Sequence, residues 1–164
     1  MASYALVFSF RDRIAGEGFL AGVSMNGCAL VEKENGAWWL YGVAPGGLAE
    51  RGDELYAAHA SFRESYRKVL FDLAAEAKSY EEFKAAVEAF CRVDTAEEAR
   101  WHEAAHAIRS GKVTPEAPFS DLPRVEAASC KRGVTVERLD SPQRAFSTKD
   151  NELDQLAITF APAA

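Results

Sequence analysis

Short apolar runs separated by turn-forming residues occupy the first fifty positions of the chain. Residues 4–10 and 18–25 are apolar and contain several aromatic or β-branched side chains. Residues 28–34 and 38–43 continue this pattern after short polar breaks. Runs of four to eight such residues, bounded by Gly, Pro, Asn or Asp, are typical of β-strands. The pattern therefore predicts four short strands that follow one another closely along the chain.

Turn signals lie between these predicted strands. Asn-Gly pairs occur at residues 26–27 and 35–36, and Asn-Gly favours the two-residue turn of a β-hairpin because both residues tolerate positive φ. The polar stretch at residues 11–17 predicts a further loop. The Pro-Gly-Gly at residues 45–47 predicts a turn at which the sheet ends. Together these signals predict an N-terminal antiparallel β-meander.

The spacing of apolar residues becomes helical after the glycine-rich turn. Asp53 precedes the change, and its carboxylate could accept hydrogen bonds from the free amides of a first helical turn. The apolar positions that follow fall on one stripe: Leu55, Phe62, Tyr66, Val69, Leu70, Leu73 and Ala77. A stripe of this kind predicts a long amphipathic helix that packs against the meander.

Two shorter helices are predicted after the long one. Ser79 and Glu82 have the spacing of a capping box, and so do Thr95 and Glu98. The expected buried residues are Phe83, Val87 and Phe90 in the first helix, and Trp101, Ala105 and Ile108 in the second. Strands followed by helices, rather than alternating with them, predict an α+β fold and not a doubly wound sheet.

Beyond the last predicted helix the pattern weakens. Three prolines interrupt the stretch that follows, while residues 124–128 and 133–139 each predict a short strand. The chain has 164 residues, and 48% of them are hydrophobic, which suits one domain with a substantial core. We therefore expect residues 1–164 to form a single domain in which residues 112–164 are an irregular C-terminal extension.

The net charge indicates the kind of partner to expect, and the cysteine content indicates the state of the thiols. The formal net charge is -6, and such a surface does not attract phosphate backbones, so a basic protein is the expected partner rather than nucleic acid. The three cysteines are widely spaced and form no Cys-x-x-Cys pair, which predicts free thiols. The N-terminus lacks a basic leader, and no apolar run approaches the roughly 20 residues that span a bilayer. We expect a cytoplasmic protein that does not contact membranes.

The third predicted helix contains a His-Glu-x-x-His motif. On a helix, His102 and His106 lie one turn apart on one face, where they could bind Zn²⁺ while Glu103 activates a bound water. A third ligand is still required, and Asn151-Glu152 followed by Asp154 loosely matches the segment from which thermolysin-like proteases supply a glutamate on a second helix. The motif therefore indicates a small zinc-dependent hydrolase as an alternative function.

A second interpretation of the same helix is a solvated surface. The residues around the motif are largely charged: Glu98, Arg100, Glu103 and Arg109. Metalloproteases of this type usually carry an uncharged residue two places before the first histidine, where this chain has Arg100. We therefore expect His102 and His106 to be surface residues, and we expect no catalytic residues, metal or cofactor.

Residues 29–63 resemble the HicB-like antitoxins of toxin–antitoxin systems. The resemblance consists of two strands around the Asn-Gly at residues 35–36, the Pro- and Gly-containing bend at residues 45–47, and Gly52-Asp53 before a helix. Leu55, Ala58 and Phe62 have the register of apolar residues in that helix. The similarity is strongest over residues 29–75, and the motifs that produce it are structural rather than catalytic.

The resemblance implies a small sheet packed by a helix, a cytoplasmic location, a homo-oligomer, and a surface that occludes a small toxin, a ribonuclease in that family. The chain departs from the family pattern by an additional strand pair at residues 4–25 and by two additional helices. Trp38, Trp39 and Tyr41 alternate along one predicted strand, so at least one of them points away from the helix-covered face. These three aromatics are the candidate anchors for the partner, unless the C-terminal third covers the outer ones.

Overall fold

A long β-hairpin lies at the centre of the computed structural model, which describes residues 2–141 and the backbone of residues 155–160. Its strands are β1 (Ser3–Gly16) and β2 (Phe19–Glu34), and all 14 residues of β1 are paired antiparallel with β2. Gly18 takes the turn with φ of 73°, a value that glycine adopts without steric cost. Residues 11–16 are therefore strand, and the loop expected there is absent.

The expected hairpin turn at residues 26–27 is wrong, because both residues lie inside β2. Gly27 is opposite Phe8, and a Cβ at Gly27 would overlap the Phe8 ring and the carbonyl oxygen of Ala44. This glycine therefore allows close packing rather than a turn. By contrast, the second Asn-Gly is a turn, with φ of 50° at Asn35 and 82° at Gly36.

Two further strands complete the meander. They are β3 (Ala37–Ala44), which pairs with residues 28–34 of β2, and β4 (Gly46–Gly52), which pairs with β3. The bend between them contains a cis peptide bond before Pro45 and a positive φ of 77° at Gly47. The Pro-Gly-Gly segment is thus a turn as expected, but the sheet continues beyond it by one strand.

Three helices follow β4: α1 (Leu55–Glu76), α2 (Tyr80–Phe90) and α3 (Thr95–Arg109). Helix α1 buries a stripe slightly rotated from the expected one: Leu55, Ala58, Phe62, Tyr66, Leu70 and Ala74. The buried residues of α3 are Trp101, Ala104, Ala105 and Ile108. No helix in the described residues is long and apolar enough to cross a membrane.

The N-terminal caps agree with the sequence only in part. The Ser79 hydroxyl accepts from the Glu82 amide at 3.2 Å, as the capping box predicts. Helix α3 is capped instead by Asp94, whose carboxylate accepts from two backbone amides. Helix α1 begins after Glu54 without a side-chain cap, so the expected role of Asp53 is wrong. The stability of α1 therefore depends on its packing against the sheet rather than on side-chain capping at its N-terminus.

The C-terminal part adds three short strands: β5 (Arg124–Glu126), β6 (Gly133–Arg138) and β7 (Gln155–Phe160). The sheet order is β4-β3-β2-β1-β7-β5, and β6 pairs with residues 21–26 of β2. One edge of β2 is thus shared by β6 and β3, and the partner changes at residue 27. The α+β class, with a meander, three helices and short C-terminal strands, is confirmed.

Helices cover both faces of the sheet. On one face, Phe8 contacts Phe62 of α1 at a ring distance of 5.6 Å, and Phe19 contacts Phe83 of α2 at 5.2 Å. On the opposite face, Arg100 of α3 donates to Glu32 of β2 at 2.8 Å. We call these the α1 face and the α3 face, and side chains alternate between them along each strand.

The chain changes face between α2 and α3 by passing around the bend that joins β3 to β4. The Asp94 amide donates to the Val43 carbonyl at 2.8 Å, and the Gly46 amide donates to the Arg92 carbonyl at 3.0 Å. Gly46 is packed so closely that a Cβ there would lie 2.9 Å from the Asp94 side chain. This bend therefore fixes where α3 begins and sets its position beside β3.

A buried ion pair joins α1 to the distal half of β1. Arg63 donates through both terminal nitrogens to the Asp12 carboxylate, at 2.8 and 3.0 Å, and Arg67 approaches the same carboxylate at 3.3 Å. The Asp12 side chain is 4% exposed and that of Arg63 is 16% exposed. The pair explains why a polar stretch of sequence is strand: its one buried charge has a partner 51 residues away.

We expect Asp12→Ala to reduce the free energy of unfolding by about 3 kcal/mol, because Arg63 is left charged and largely buried without its partner. Urea denaturation monitored by circular dichroism measures the change. Glu64→Ala is the matched control, since Glu64 forms an exposed pair with Lys68 on the same helix and its loss should cost less than about 0.5 kcal/mol. Equal losses in the two variants would contradict this role for Asp12.

Candidate interaction surface

The three candidate anchors do not lie on the same face. Trp38 is on the α1 face, where its ring is 6.4 Å from that of Tyr4 and 5.6 Å from that of Phe119. Phe119 lies in a short 3₁₀ turn of the C-terminal part and stacks on Tyr4 at 3.9 Å. Lys33 lies over the Trp38 ring at 5.2 Å. This packing gives Trp38 a mainly structural role.

Trp39 and Tyr41 lie together on the α3 face. Their rings are nearly parallel, 6° apart in angle, with centroids 5.9 Å apart. The guanidinium of Arg51 lies 6.0 Å from the Trp39 ring, and that of Arg100 lies 5.9 Å from the Tyr41 ring. The two stacked rings thus have one guanidinium at each end, and each cation is attracted by the quadrupole of its ring. We call this set of four side chains the aromatic column.

Strand register and α3 assemble the column. Arg51 of β4 is directly opposite Trp39 of β3, so the two side chains emerge on the same face as close neighbours. Tyr41 follows two positions along β3 and shares that face. Arg100 comes from α3, whose start is fixed by the bend between β3 and β4. The column therefore joins two consecutive strands to a helix that is distant from them in sequence.

Carboxylates hold one end of the column. Tyr41 donates its hydroxyl hydrogen to Glu34 at 3.0 Å, and Arg100 donates to Glu32 at 2.8 Å and to Glu97 at 3.0 Å. Burial, followed by the hydrogen bond to the Glu34 carboxylate, raises the pKa of the Tyr41 phenol above its ordinary value. Tyr41 is therefore neutral at physiological pH and is held in place as a hydrogen-bond donor.

The other end of the column reaches the edge of the sheet. Arg51 is exposed and its guanidinium contacts the Trp39 ring. Among the described residues, no carboxylate forms an ion pair with it. Its strand, β4, is the outermost strand on this side, and within the described residues only β3 pairs with it. An edge strand presents unpaired backbone amides and carbonyls along its outer side. Aromatic, cationic and backbone groups are thus available together along this edge.

The His-Glu-x-x-His motif lies on the outer side of α3. His102, Glu103 and His106 are all exposed, whereas the residues between and beside them face the sheet. His102 is 4.0 Å from Glu98. Within the described ranges, no three His, Cys, Asp or Glu side chains are grouped so that they could hold a metal ion. Glu152 and Asp154, the candidates for a third ligand, lie outside the described residues.

Two arginines near the C-terminal strands are engaged with acidic or aromatic partners. Arg132 contacts Glu98 at 2.6 Å and lies over the Trp101 ring at 5.5 Å. Arg138 pairs with Asp140 at 2.8 Å. Because their charges are compensated within the fold, these arginines contribute little to an electrostatic footprint for nucleic acid.

The thiols differ in their environment. Burial raises the pKa of Cys28 to about 11 and the pKa of Cys91 to about 12. Both therefore remain protonated at neutral pH, and the thiolate is the reactive form. Cys130 is only partly buried and borders a cavity of about 350 Å³ beside β1. The geometry does not support a catalytic role for the two buried cysteines.

In comparisons with known proteins, no family model, no curated protein and no solved structure matches the chain. The resemblance to HicB-like antitoxins therefore stays a prediction from the residues at positions 29–75.

Sequence reasoning identified part of this surface. The alternation along β3 correctly indicated that aromatic side chains occur on both faces of the sheet, but it missed Arg51 and Arg100. Their proximity to Trp39 and Tyr41 depends on the β3–β4 register and on the path of the chain into α3, which no local pattern encodes. The sequence feature that could have pointed to Arg51 is its charge, which occurs in a segment otherwise rich in glycine and alanine.

We expect iodoacetamide at pH 8 to label the native protein mainly at Cys130, since Cys28 and Cys91 are buried and protonated. Peptide mass spectrometry locates the label. Unfolding in urea should expose all three thiols, and native Cys130→Ser protein should remain almost unlabelled. Labelling of Cys28 at the rate of Cys130 would contradict the buried position of Cys28.

Proposed function

We propose that this chain is an interaction domain that binds and occludes a small basic protein, in the manner of the HicB-like antitoxins it resembles. The observation that carries the proposal is the aromatic column beside the open edge of β4. The column lies on the outer surface of the fold, so it is placed to contact another macromolecule.

The composition of the column supports a role in protein binding. Trp, Tyr and Arg are the residue types most enriched among the side chains that dominate the energy of protein interfaces. Trp39 and Tyr41 are partly exposed but held by neighbours. Binding would therefore cost little side-chain entropy, because the rings are already ordered.

The open edge of β4 indicates that a partner could bind by adding a strand. An extended segment of a partner can add to an exposed sheet edge, where backbone hydrogen bonds give affinity and alternate side chains give specificity. A strand added beside β4 would lie next to Arg51, whose donors face the same side as the column. The first residue of β4 is already bonded to Arg92, so we assign residues 47–52 to this contact.

Charge supports a basic partner. The formal net charge of the chain is -6, and an acidic protein attracts a basic one at long range and increases the rate of association. Acidic residues also flank the column at Glu32, Glu34 and Glu97. All residues of the column except Arg100 belong to the segment that resembles the HicB-like family, which is consistent with that family's binding function.

We expect a gene beside that of this chain to encode a small basic protein, co-expression of the two to yield a complex, and Trp39→Ala to weaken the affinity at least tenfold. The reason is that loss of a central aromatic anchor commonly costs 2 kcal/mol or more. Isothermal titration calorimetry of purified proteins measures affinity, and inhibition of the partner's ribonuclease activity measures occlusion.

Two aromatic residues on the outer side of α1 provide matched controls for this experiment. Tyr56 is 55% exposed and Phe71 is 48% exposed, and both belong to α1, which packs on the face of the sheet opposite the column. Tyr56→Ala and Phe71→Ala should bind the partner as the unaltered chain does, and circular dichroism should show that every variant is folded. Absence of any complex, or a greater loss in the α1 variants than in Trp39→Ala, would refute the proposed surface.

The zinc hydrolase alternative has a separate test. Because His102, Glu103 and His106 project outward from α3, we expect protein purified without chelators to contain less than one zinc ion per ten chains. Elemental analysis by mass spectrometry measures the metal, and His102→Ala with His106→Ala is the comparison. One zinc ion per chain that is lost in the double variant would support the hydrolase instead.

A further inference from the structure

A small cavity adjoins the aromatic column between α3 and the ends of β1 and β2. Its volume is about 230 Å³, below the roughly 300 Å³ at which pockets for small organic ligands begin. Its apolar lining residues are Leu30, Ala104, Ala107 and Val113, and polar side chains form the rest of the lining. The volume suits a single side chain rather than a whole small-molecule ligand.

The polar groups at this cavity are predominantly acidic. Glu32 and Glu103 both line it, together with Arg100. Arg100 is already compensated, because it donates to both Glu32 and Glu97. Within the described part of the chain, no ion pair involves Glu103. Two carboxylates and one guanidinium therefore line the cavity, and Glu97 adds a third carboxylate at Arg100, so the local charge favours a cation.

Apolar lining residues next to carboxylates match the chemistry of a lysine side chain. A lysine buries its methylene stem against apolar surface while its ammonium group remains at a polar site. The ammonium carries three donors, and Glu32 and Glu103 provide acceptor oxygens at the same cavity. One Glu32 oxygen also accepts from the Ser3 hydroxyl at 2.6 Å, which fixes the carboxylate.

We propose that this cavity receives a lysine side chain from the basic partner. The inference rests on the proposed function and deepens it by naming a specificity determinant. Arg100 connects the two features, since it lies over Tyr41 in the column and also lines the cavity. A partner that covers the column therefore brings its own side chains to the cavity.

Nuclear magnetic resonance with the full-length chain and a minimal probe tests the cavity directly. The probe is Nα-acetyl-lysine methylamide, and the matched control is Nα-acetyl-norleucine methylamide, which keeps the apolar stem but lacks the ammonium group. We expect saturable shifts of the Glu103, Ala104 and Ala107 amides with the lysine probe, with Kd in the millimolar range typical of about -4 kcal/mol. The norleucine probe should give at least fivefold weaker binding.

Two variants separate the charge of the cavity from its shape. Glu103→Gln should raise the Kd for the lysine probe at least threefold, whereas Ala107→Leu should abolish binding by filling the cavity while leaving its charges in place. Glu88→Gln on α2 is the control, because Glu88 forms an exposed pair with Lys84 and should not affect the probe. Retention of the amide dispersion of the unaltered chain shows that each variant is folded.

The outcomes distinguish this inference from the function on which it rests. Equal shifts with both probes, no saturable shifts, or unchanged binding in Ala107→Leu would overturn the lysine cavity. None of these results would affect the calorimetric test of Trp39. Conversely, specific lysine binding without any partner complex would support the cavity and refute the proposed function.

Discussion

The pairing of β1 with β2 over the full length of β1 is the interaction on which the rest of the structure depends. This hairpin contributes side chains to both faces of the sheet. The edge of β2 opposite β1 pairs with β6 at residues 21–26 and with β3 at residues 28–34. The pairing requires a strand through a polar segment, which the buried contact between Asp12 and Arg63 makes possible. With that register fixed, β3 and β4 place Trp39 and Arg51 side by side.

The fold class and the presence of three helices could be predicted from the sequence, because strand and helix patterns are local. The three helices and the turn at residues 35–36 agree with the prediction. The turn predicted at residues 26–27 failed because its Asn-Gly signal is local, whereas the need for Gly27 comes from the packing of Phe8 and Ala44. Residues 11–16 were predicted as loop because the partner of Asp12 is far away in sequence.

The candidate site was less predictable than the fold for the same physical reason. Alternation along β3 indicated exposed aromatics, but it could not show that Trp39 and Tyr41 are bracketed by arginines from β4 and α3. Conversely, the His-Glu-x-x-His motif was conspicuous in the sequence, yet its side chains are on the outer side of α3. We infer that partner binding uses the outer surface formed by β3, β4 and α3, and not an enclosed pocket.

Amide hydrogen exchange of the chain with and without the small basic protein tests that claim most directly. Exchange reports which backbone hydrogen bonds become protected when a surface is covered or a strand is added. Our account predicts slower exchange for amides in residues 47–52 and around Trp39, with little change in the outer turns of α1. Protection confined to α1, or unchanged exchange throughout β3 and β4, would contradict it.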